Sequence, residues 1–225
     1  MDTNTFNTIE IKTNILADND KSAEETRRLL NKTSTFFVNL MSSPGGGKTT
    51  TLVRTVKALK DKYKIGVIEA DVDSDVDARS VIEAGAKAVQ LHTGGACHMD
   101  ADMTRQGLDE LKLDELDIVF LENVGNLVCP AEFDVGADKK VCILSVPEGD
   151  DKPLKYPLMF TVSDLLLINK IDAKAVFDFD KDTCLGYCKK LNPSIECIEI
   201  SSLTGENFDE WISWLIKHVE EKKAR

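Results

Sequence analysis

The chain has 225 residues, of which 42% are hydrophobic, and its formal net charge is −11. This length and apolar content suit one folded domain and exclude a disordered chain. The acidic balance argues against non-specific nucleic-acid binding and against docking on an anionic membrane.

The first part of the chain, residues 1–33, is polar and carries one predicted helix near 22–30. It lacks the basic and apolar regions of a signal peptide. No apolar run elsewhere approaches the ~18 residues that cross a bilayer. The six cysteines, without a secretory signal, are predicted to be thiols. We therefore expect a soluble cytoplasmic protein, with residues 1–33 as an N-terminal arm and helix.

Strand-like and helix-like patterns alternate through residues 34–225, the predicted globular domain. The apolar runs typical of strands are 35–41, 64–71, 87–92, 116–123, 140–146, 164–172 and 195–201. The segments with helical spacing of apolar residues are 49–61, 77–85, 100–112 (with Asp100 as N-cap), 180–191 and 207–223. This alternation predicts an α/β fold of three layers, a mostly parallel sheet flanked by helices. Ligands of such sheets bind at the carboxyl ends of the strands.

The stretch MSSPGGGKTT follows the first predicted strand and precedes a predicted helix, which is the context of a phosphate-binding P-loop. Its glycines let the backbone turn N–H groups inward, and the helix N-terminus completes an anion cradle. Lys48 can reach the β- and γ-phosphates, and the Thr49 hydroxyl can bind Mg²⁺. The predicted phosphate-loop residues of this P-loop NTPase fold are Gly45, Gly46, Gly47, Lys48, Thr49 and Thr50.

The motif NKID closes a later predicted strand and indicates a guanine base. Asp172 can accept from the ring N–H and the exocyclic amine of guanine together, whereas adenine would leave the carboxylate unpaired. Lys170 can pack its stem on the ring, and Asn169 completes the motif. The motif SSLTG, after the last predicted strand, resembles the second guanine-contacting loop of GTPases. It adds Ser202 and Leu203 as predicted contacts and favours GTP over ATP.

An acidic run, EADVDSDVDA, follows the second predicted strand and offers hard oxygen ligands for Mg²⁺. Of its Asp71, Asp73, Asp75 and Asp77, we favour Asp71 and Asp77 as ligands. Asp77 is also the best candidate for positioning the attacking water.

The motif LENVGNL has the Glu-x-x-Gly spacing of a γ-phosphate sensor at Glu122 and Gly125. The glycine N–H would meet the phosphate, while the acid faces Mg²⁺ or its water. The predicted catalytic residues are therefore Lys48, Asp77 and Glu122.

Soft and borderline metal ligands lie on two segments, GGACH with Cys97 and His98, and NLVCP with Cys129. These side chains suit Zn²⁺ or Ni²⁺, although the spacing is not that of a zinc finger. Three ligands leave the site incomplete, so a dimer or an open position for metal transfer would complete it. Cys129 follows Glu122 at a chain distance of at most ~23 Å, which suggests that nucleotide state controls the metal.

Taken together, the motifs resemble the nickel-insertion GTPases of nickel–iron hydrogenase maturation, the HypB family, within the SIMIBI class of P-loop GTPases. The resemblance covers about residues 36–222. The segments that carry it are SSPGGGKTT, VIEADVDSDVDA, TGGACHMDA, FLENVGNLVCPAEFDVG, SVPEGDDKPLKYPLMF, LLLINKID and SSLTGE.

The resemblance implies a metallochaperone that hydrolyses GTP slowly to GDP. It places Cys97, His98 and Cys129 in a nickel or zinc site at a GTP-dependent homodimer interface. It also implies that Lys155, in KPLKYP, reaches the nucleotide of the neighbouring subunit. The implied partners are a second nickel-binding maturation protein and the hydrogenase large subunit.

Three alternatives stay open on the residues alone. A related SIMIBI chaperone could serve urease or a cobalamin-dependent mutase, although the urease type usually shows Cys-Pro-His, and here Pro130 precedes Ala131. A small-molecule kinase would use ATP, against which NKID argues. A non-enzymatic metal-binding protein would have no use for a P-loop.

Overall fold

The computed structural model describes the backbone of residues 11–71 and 76–225, and the side chains of 15–70 and 78–225. Within these residues the helices are α1 (Ile11–Thr33), α2 (Lys48–Leu59), α3 (Val76–Ala84), α4 (Ala101–Leu111), α5 (Cys129–Glu132), α6 (Lys152–Lys155), α7 (Pro157–Val162), α8 (Lys181–Leu191) and α9 (Phe208–Lys223). The strands are β1 (Phe36–Ser42), β2 (Ile65–Asp71), β3 (Lys87–His92), β4 (Ile118–Glu122), β5 (Lys139–Ser145), β6 (Leu165–Asn169) and β7 (Glu196–Glu199).

The described strands form one parallel sheet in the order β3-β2-β4-β1-β5-β6-β7. β1 lies at the centre, between β4 and β5, so the loop that follows it opens at the point where the strand order reverses. Because all strands run the same way, their carboxyl ends meet at one edge of the sheet. That edge collects the sequence motifs after β1, β4, β6 and β7, and β2 also ends there, at Asp71.

The central strand shows how the sheet separates two layers of helices. Phe36, Val38 and Leu40 belong to one apolar cluster on one face of the sheet. Phe37 and Met41 point to the other face, where each joins a separate cluster. Helices α2, α3 and α9 cover one face, while α1, α4, α5, α7 and α8 cover the other. The predicted three-layer α/β fold with a parallel sheet is confirmed.

Helix α1 is much longer than the predicted segment 22–30. Its buried side chains are Asn19, Ala23, Thr26 and Leu30, which lie on one stripe facing α4. Two members of this stripe are polar, so the apolar spacing in the sequence reveals only the second half of the helix. The helix packs on the globular part of the chain.

Strand β6 ends at Asn169 although the apolar run continues to Ile171. Lys170 takes a left-handed backbone with φ of 61°, which turns the chain out of the sheet into a short 3₁₀ turn. The last residues of NKID therefore lie in a loop at the carboxyl edge. Among the described helices, none is long and apolar enough to cross a membrane.

Candidate functional site

The loop between β1 and α2 has the backbone of an anion cradle. Gly45 and Gly47 have positive φ angles of 74° and 99°, which side-chain-bearing residues rarely adopt. Lys48, at the start of α2, is 8% exposed, and its Nζ donates to Ser42 Oγ at 3.2 Å. The lysine thus lies over the loop that the glycines shape, in reach of an anion bound there.

The Thr49 hydroxyl donates to Glu122 Oε1 at 2.8 Å. This contact joins the first turn of α2 to the end of β4. The two oxygens line the same edge of the sheet, and hard oxygen ligands of this kind suit Mg²⁺. The sequence-predicted partners are therefore brought together.

Beside this pair lies a cavity of about 330 Å³. Its polar lining includes Lys48, Glu122, Glu69 and Gln90, and Gly125 forms part of its wall. A Cβ on Gly125 would lie 3.0 Å from the Pro44 backbone, so glycine lets this segment approach the phosphate loop closely. Glu122 and Gly125, which the Glu-x-x-Gly spacing predicts to sense a terminal phosphate, therefore line one cavity.

Two residues that line the cavity, Glu69 and Gln90, were not predicted from the sequence as site residues. Both Gln90 side-chain polar atoms are buried and make no hydrogen bond in the described structure. Each residue lies within an apolar run that predicts a strand, and the only sequence signal for a role was that one residue of the run is polar.

Of the acidic run, Asp73 and Asp75 lie outside the described residues. Backbone alone places Asp71 in β2 and Asp77 in α3, and their side chains also lie outside the described part.

Asn169, predicted as part of the base motif, is 1% exposed and joins two loops. Its Nδ2 donates to the Gly46 carbonyl at 3.1 Å, and its Oδ1 accepts from the Ser202 N–H at 3.0 Å. Lys170 Nζ donates to the Gly45 carbonyl at 2.7 Å. The base motif and the phosphate loop are therefore tied together by direct hydrogen bonds.

Asp172 is exposed at the carboxyl edge, where its Oδ1 accepts from Ser201 Oγ at 2.5 Å. Ser201 Oγ also accepts from the Thr204 N–H at 3.0 Å, which shapes the loop of SSLTG. Leu203 on this loop is 75% exposed. These contacts hold one carboxylate oxygen and leave the acid exposed at a rim of the sheet edge whose SSLTG loop also carries Leu203.

Arg54 braces this rim from α2 and was not anticipated. Its Nε donates to the Ser202 carbonyl and its Nη2 to the Leu203 carbonyl, each at 2.9 Å. Thr51 on the same helix contacts Ser202 Oγ at 2.7 Å. Nothing in the sequence pairs residues this far apart, so these braces become visible only in the fold.

Cys97, His98 and Cys129 meet at the surface. Their ligand atoms all lie within 4.8 Å of one another. Among the described residues, this is the group of three His, Cys, Asp or Glu side chains that could hold a metal ion. The Cys97 and Cys129 sulfurs are 2.8 Å apart, and Cys97 Sγ is 3.8 Å from His98 Nδ1. The His98 ring stacks on Phe133, with centroids 3.8 Å apart. The predicted ligand trio is therefore assembled and can hold a soft or borderline cation.

The surroundings of this trio tune its protonation. Burial lowers the pKa of His98, partly opposed by the nearby Asp100 and Glu132. The hydrogen bond with Cys97, together with burial, raises the pKa of Cys129. At neutral pH the imidazole is therefore a neutral ligand, whereas the Cys129 thiol must release a proton when a metal binds.

Lys155 lies on α6, exposed, with its Nζ 2.5 Å from Asp151 Oδ2. Upstream of it, Glu148 accepts from the Ser145 N–H and hydroxyl in a capping box and also from the Ser43 hydroxyl. The Ser-x-x-Glu spacing of this box was a sequence signal for Glu148. The contact with Ser43 fastens the segment that carries Lys155 to the phosphate loop.

Gly47→Ala is expected to destabilise the fold by about 1–3 kcal/mol. The new Cβ would lie 2.4 Å from Asn169 Nδ2, at a backbone φ of 99°. Denaturant unfolding measures the loss. Gly186→Ala is the matched control, since a Cβ there meets no atom within 4 Å on a helix. Equal unfolding free energies for the two variants would contradict the loop geometry.

Known proteins match the chain along most of its length. A family model described as the CobW/HypB/UreG nucleotide-binding domain matches residues 36–199. The chain is 47% identical to hydrogenase maturation factor HypB of Azotobacter vinelandii, over 92% of this chain and 68% of that protein. It is 40% identical to the probable hydrogenase maturation factor HypB of Methanocaldococcus jannaschii, over 96% and 97% of the two chains.

A solved structure is similar across the whole fold. The crystal structure of HypB from Helicobacter pylori in complex with nickel matches with a TM-score of 0.86 and 38% identity. The match covers 91% of this chain and 96% of that one. The family match over residues 36–199 spans the phosphate loop and the segments that carry Cys97, His98 and Cys129.

Proposed function

The chain belongs to the HypB family of hydrogenase maturation factors, and from this premise we propose that it hydrolyses GTP to control the delivery of nickel to a hydrogenase. One observation carries the proposal. A single segment holds Glu122, bonded to Thr49 of the phosphate loop, and Cys129, in contact with Cys97 of the metal trio. Residues 34–225 supply this machinery, in the cytoplasm.

GTP is the substrate, held at both ends of the site. Gly45–Gly47, Lys48 and Thr50 cradle its phosphates, and Asp172 accepts from the guanine edge. Lys170, Ser202 and Leu203 flank the base, while Asn169 fixes the two loops to each other. Two features support this assignment: the left-handed backbone of Gly45 and Gly47, and the exposed Asp172 carboxylate, which accepts a hydrogen bond from Ser201.

The residues present fit Mg²⁺ as the resident cofactor. Thr49 and Glu122 bring two oxygens within 2.8 Å of each other at the cavity, and Asp71 and Asp77 are the further candidates from the acidic run. Bound there, Mg²⁺ neutralises charge on the β- and γ-phosphates. Lys48 then stabilises the phosphate charge that develops during hydrolysis, and Asp77 positions the attacking water.

Nickel, or zinc, is the cargo of the trio Cys97, His98 and Cys129. These side chains supply three ligands, so a second subunit or a receiving protein completes the coordination. We place the trio at a GTP-dependent homodimer interface, with Lys155 reaching the nucleotide of the neighbouring subunit. Its exposure beside Asp151 supports this role. A second nickel-binding maturation protein and the hydrogenase large subunit receive the metal.

Nickel affinity is expected to rise with pH, by at least about tenfold per unit between about pH 6 and pH 8. The raised pKa of Cys129 keeps its thiol protonated in this range, so each bound metal displaces that proton. Burial lowers the pKa of His98, so its neutral, metal-binding form is favoured at neutral pH. Competition with a metal indicator at several pH values measures the slope, and a pH-independent affinity would contradict it.

Lys155→Ala is expected to slow GTP hydrolysis about 10-fold or more while GDP affinity stays unchanged. The reason is that this lysine would act only across the assembled dimer. Phosphate release at several protein concentrations measures the effect. Lys152→Ala, on the same short helix, is the matched control because its Nζ lies over the Tyr156 ring of its own chain. Equal rates for both variants would remove Lys155 from the proposal.

Two measurements on the intact chain test the proposed function. Phosphate release compares GTP with ATP, and sedimentation velocity compares the apo, GDP and GTP-analogue states. We expect turnover with GTP alone and a dimer with the GTP analogue alone. Equal turnover of ATP would favour a kinase-like protein, and a monomer in every state would refute nucleotide-dependent assembly.

A further inference from the structure

A buried amide joins the phosphate end of the site to the metal end. Asn123 directly follows Glu122 and is 1% exposed. Its Oδ1 accepts from the Met99 N–H at 3.2 Å and from the Val124 N–H at 2.9 Å. Its Nδ2 donates to Asn39 Oδ1, on the central strand, at 3.2 Å. One side chain therefore contacts both site segments and the strand that leads into the phosphate loop.

The two neighbours of this amide are themselves site residues. On one side, a single peptide bond leads to Glu122, which accepts from the Thr49 hydroxyl. On the other side, the bonded N–H belongs to Met99, which directly follows His98 and is fully buried. No stretch of loop separates the phosphate contact from the ligand segment along this route.

Burial makes this connection stiff. The Met99 N–H has no water to replace Asn123, because an unpaired buried donor is costly. A displacement of residues 122–125 must therefore carry the 97–99 segment with it or break the bond at a penalty. A second link, from Asn126 Nδ2 to the Cys97 carbonyl, is longer at 3.4 Å and exposed. Water can replace that link freely.

We infer that Asn123 is the positioning residue through which the γ-phosphate state of residues 122–125 sets the place of Cys97 and His98. This inference rests on the proposed function and adds the route of its regulation. Asn123 also lines the cavity beside Glu122, but its Oδ1 is bonded to the Met99 and Val124 N–H groups and its Nδ2 to Asn39. In this role it therefore positions other groups and is not itself a ligand of the nucleotide or the metal. Its effect is a coupling between two sites, which is reciprocal and measurable as a ratio of affinities.

The test uses the full chain and Ni²⁺. The coupling factor is the Ni²⁺ Kd with GDP divided by the Ni²⁺ Kd with a non-hydrolysable GTP analogue. We expect it to differ from 1 by about tenfold in the wild type and by less than about twofold in Asn123→Ala. GDP affinity should change less than about threefold in the variant. Asn126→Ala, which removes the solvent-exposed hydrogen bond to the Cys97 carbonyl, should keep the wild-type factor. Its further contact with Cys129 affects Ni²⁺ binding in both nucleotide states alike.

A second measurement needs no variant. Amide hydrogen exchange of the peptide 97–103 in the wild type should differ between the GDP and GTP-analogue states, with the change at Met99. If Asn123→Ala keeps the same coupling factor as the wild type, the inference is overturned. Equal losses of GDP and nickel affinity, with unchanged exchange at Met99, would show a structural role only and overturn it too. A coupling factor of 1 in the wild-type protein would instead refute the proposed control of nickel by the nucleotide. The failure of the proposed function is thereby distinguished from the failure of the Asn123 inference.

Discussion

Asp172→Asn is expected to weaken GTP binding by about 100-fold or more. The carboxylate would otherwise accept two charge-assisted hydrogen bonds from guanine, and an amide presents one donor where an acceptor is needed. The same amide can accept from the ring N–H of xanthine and donate to its 2-carbonyl. The variant should therefore gain xanthosine triphosphate binding while GTP binding falls.

Fluorescent nucleotide titrations measure both affinities. Asp178→Asn is the matched control, since Asp178 is exposed in the same loop and its substitution removes the same charge. Unfolding measurements on both variants separate a local effect on the Ser201 contact from loss of the fold. Unchanged GTP affinity in Asp172→Asn would refute the assignment of the base site.

Cys129→Ala is expected to lower nickel affinity by about 100-fold or more, because it removes one of three ligands. The segment that carries Cys129 also carries Glu122, but the alanine leaves the Thr49 contact in place. GDP affinity should therefore stay within about twofold of the wild type. Nickel titration with a competing indicator, in the presence of GDP, measures the change.

Cys197→Ala is the control for this variant. The Cys197 thiol lies on β7, and burial raises its pKa to about 11. The Cys197→Ala substitution should leave nickel binding unchanged, as should substitution of any other cysteine outside the trio. Nickel affinity that survives Cys129→Ala would place the metal elsewhere, and the link between phosphate and metal would lose its basis.

The fold could be predicted from the sequence because its signals are local. Each buried strand is a short apolar run, and each amphipathic helix repeats at its own period. Asp100 as an N-cap is confirmed, with its Oδ1 accepting from the Met103 N–H at 2.8 Å. The early half of α1 was missed because the buried residue there, Asn19, is polar, as is Thr26 within the predicted segment. Their burial depends on partners far along the chain, which a local pattern cannot contain.

Much of the candidate site could be predicted for a related reason. The glycines beside Lys48, and the trio of Cys97, His98 and Cys129, are residue types whose chemistry stands out in any sequence. The connecting residues carry no such signal. Asn123 and Arg54 are ordinary in sequence, and their roles come from hydrogen bonds to Met99 and Ser202 that only the folded sheet creates.

The central claim is that phosphate state governs metal release, and single-turnover kinetics test it most directly. The protein is loaded with nickel and GTP, Mg²⁺ starts hydrolysis, and phosphate release and nickel transfer to a chromogenic chelator are followed together. We expect nickel to leave with the rate constant of phosphate release and to stay bound with a non-hydrolysable analogue. Nickel that leaves at one rate with GTP, GDP and the analogue alike would contradict it.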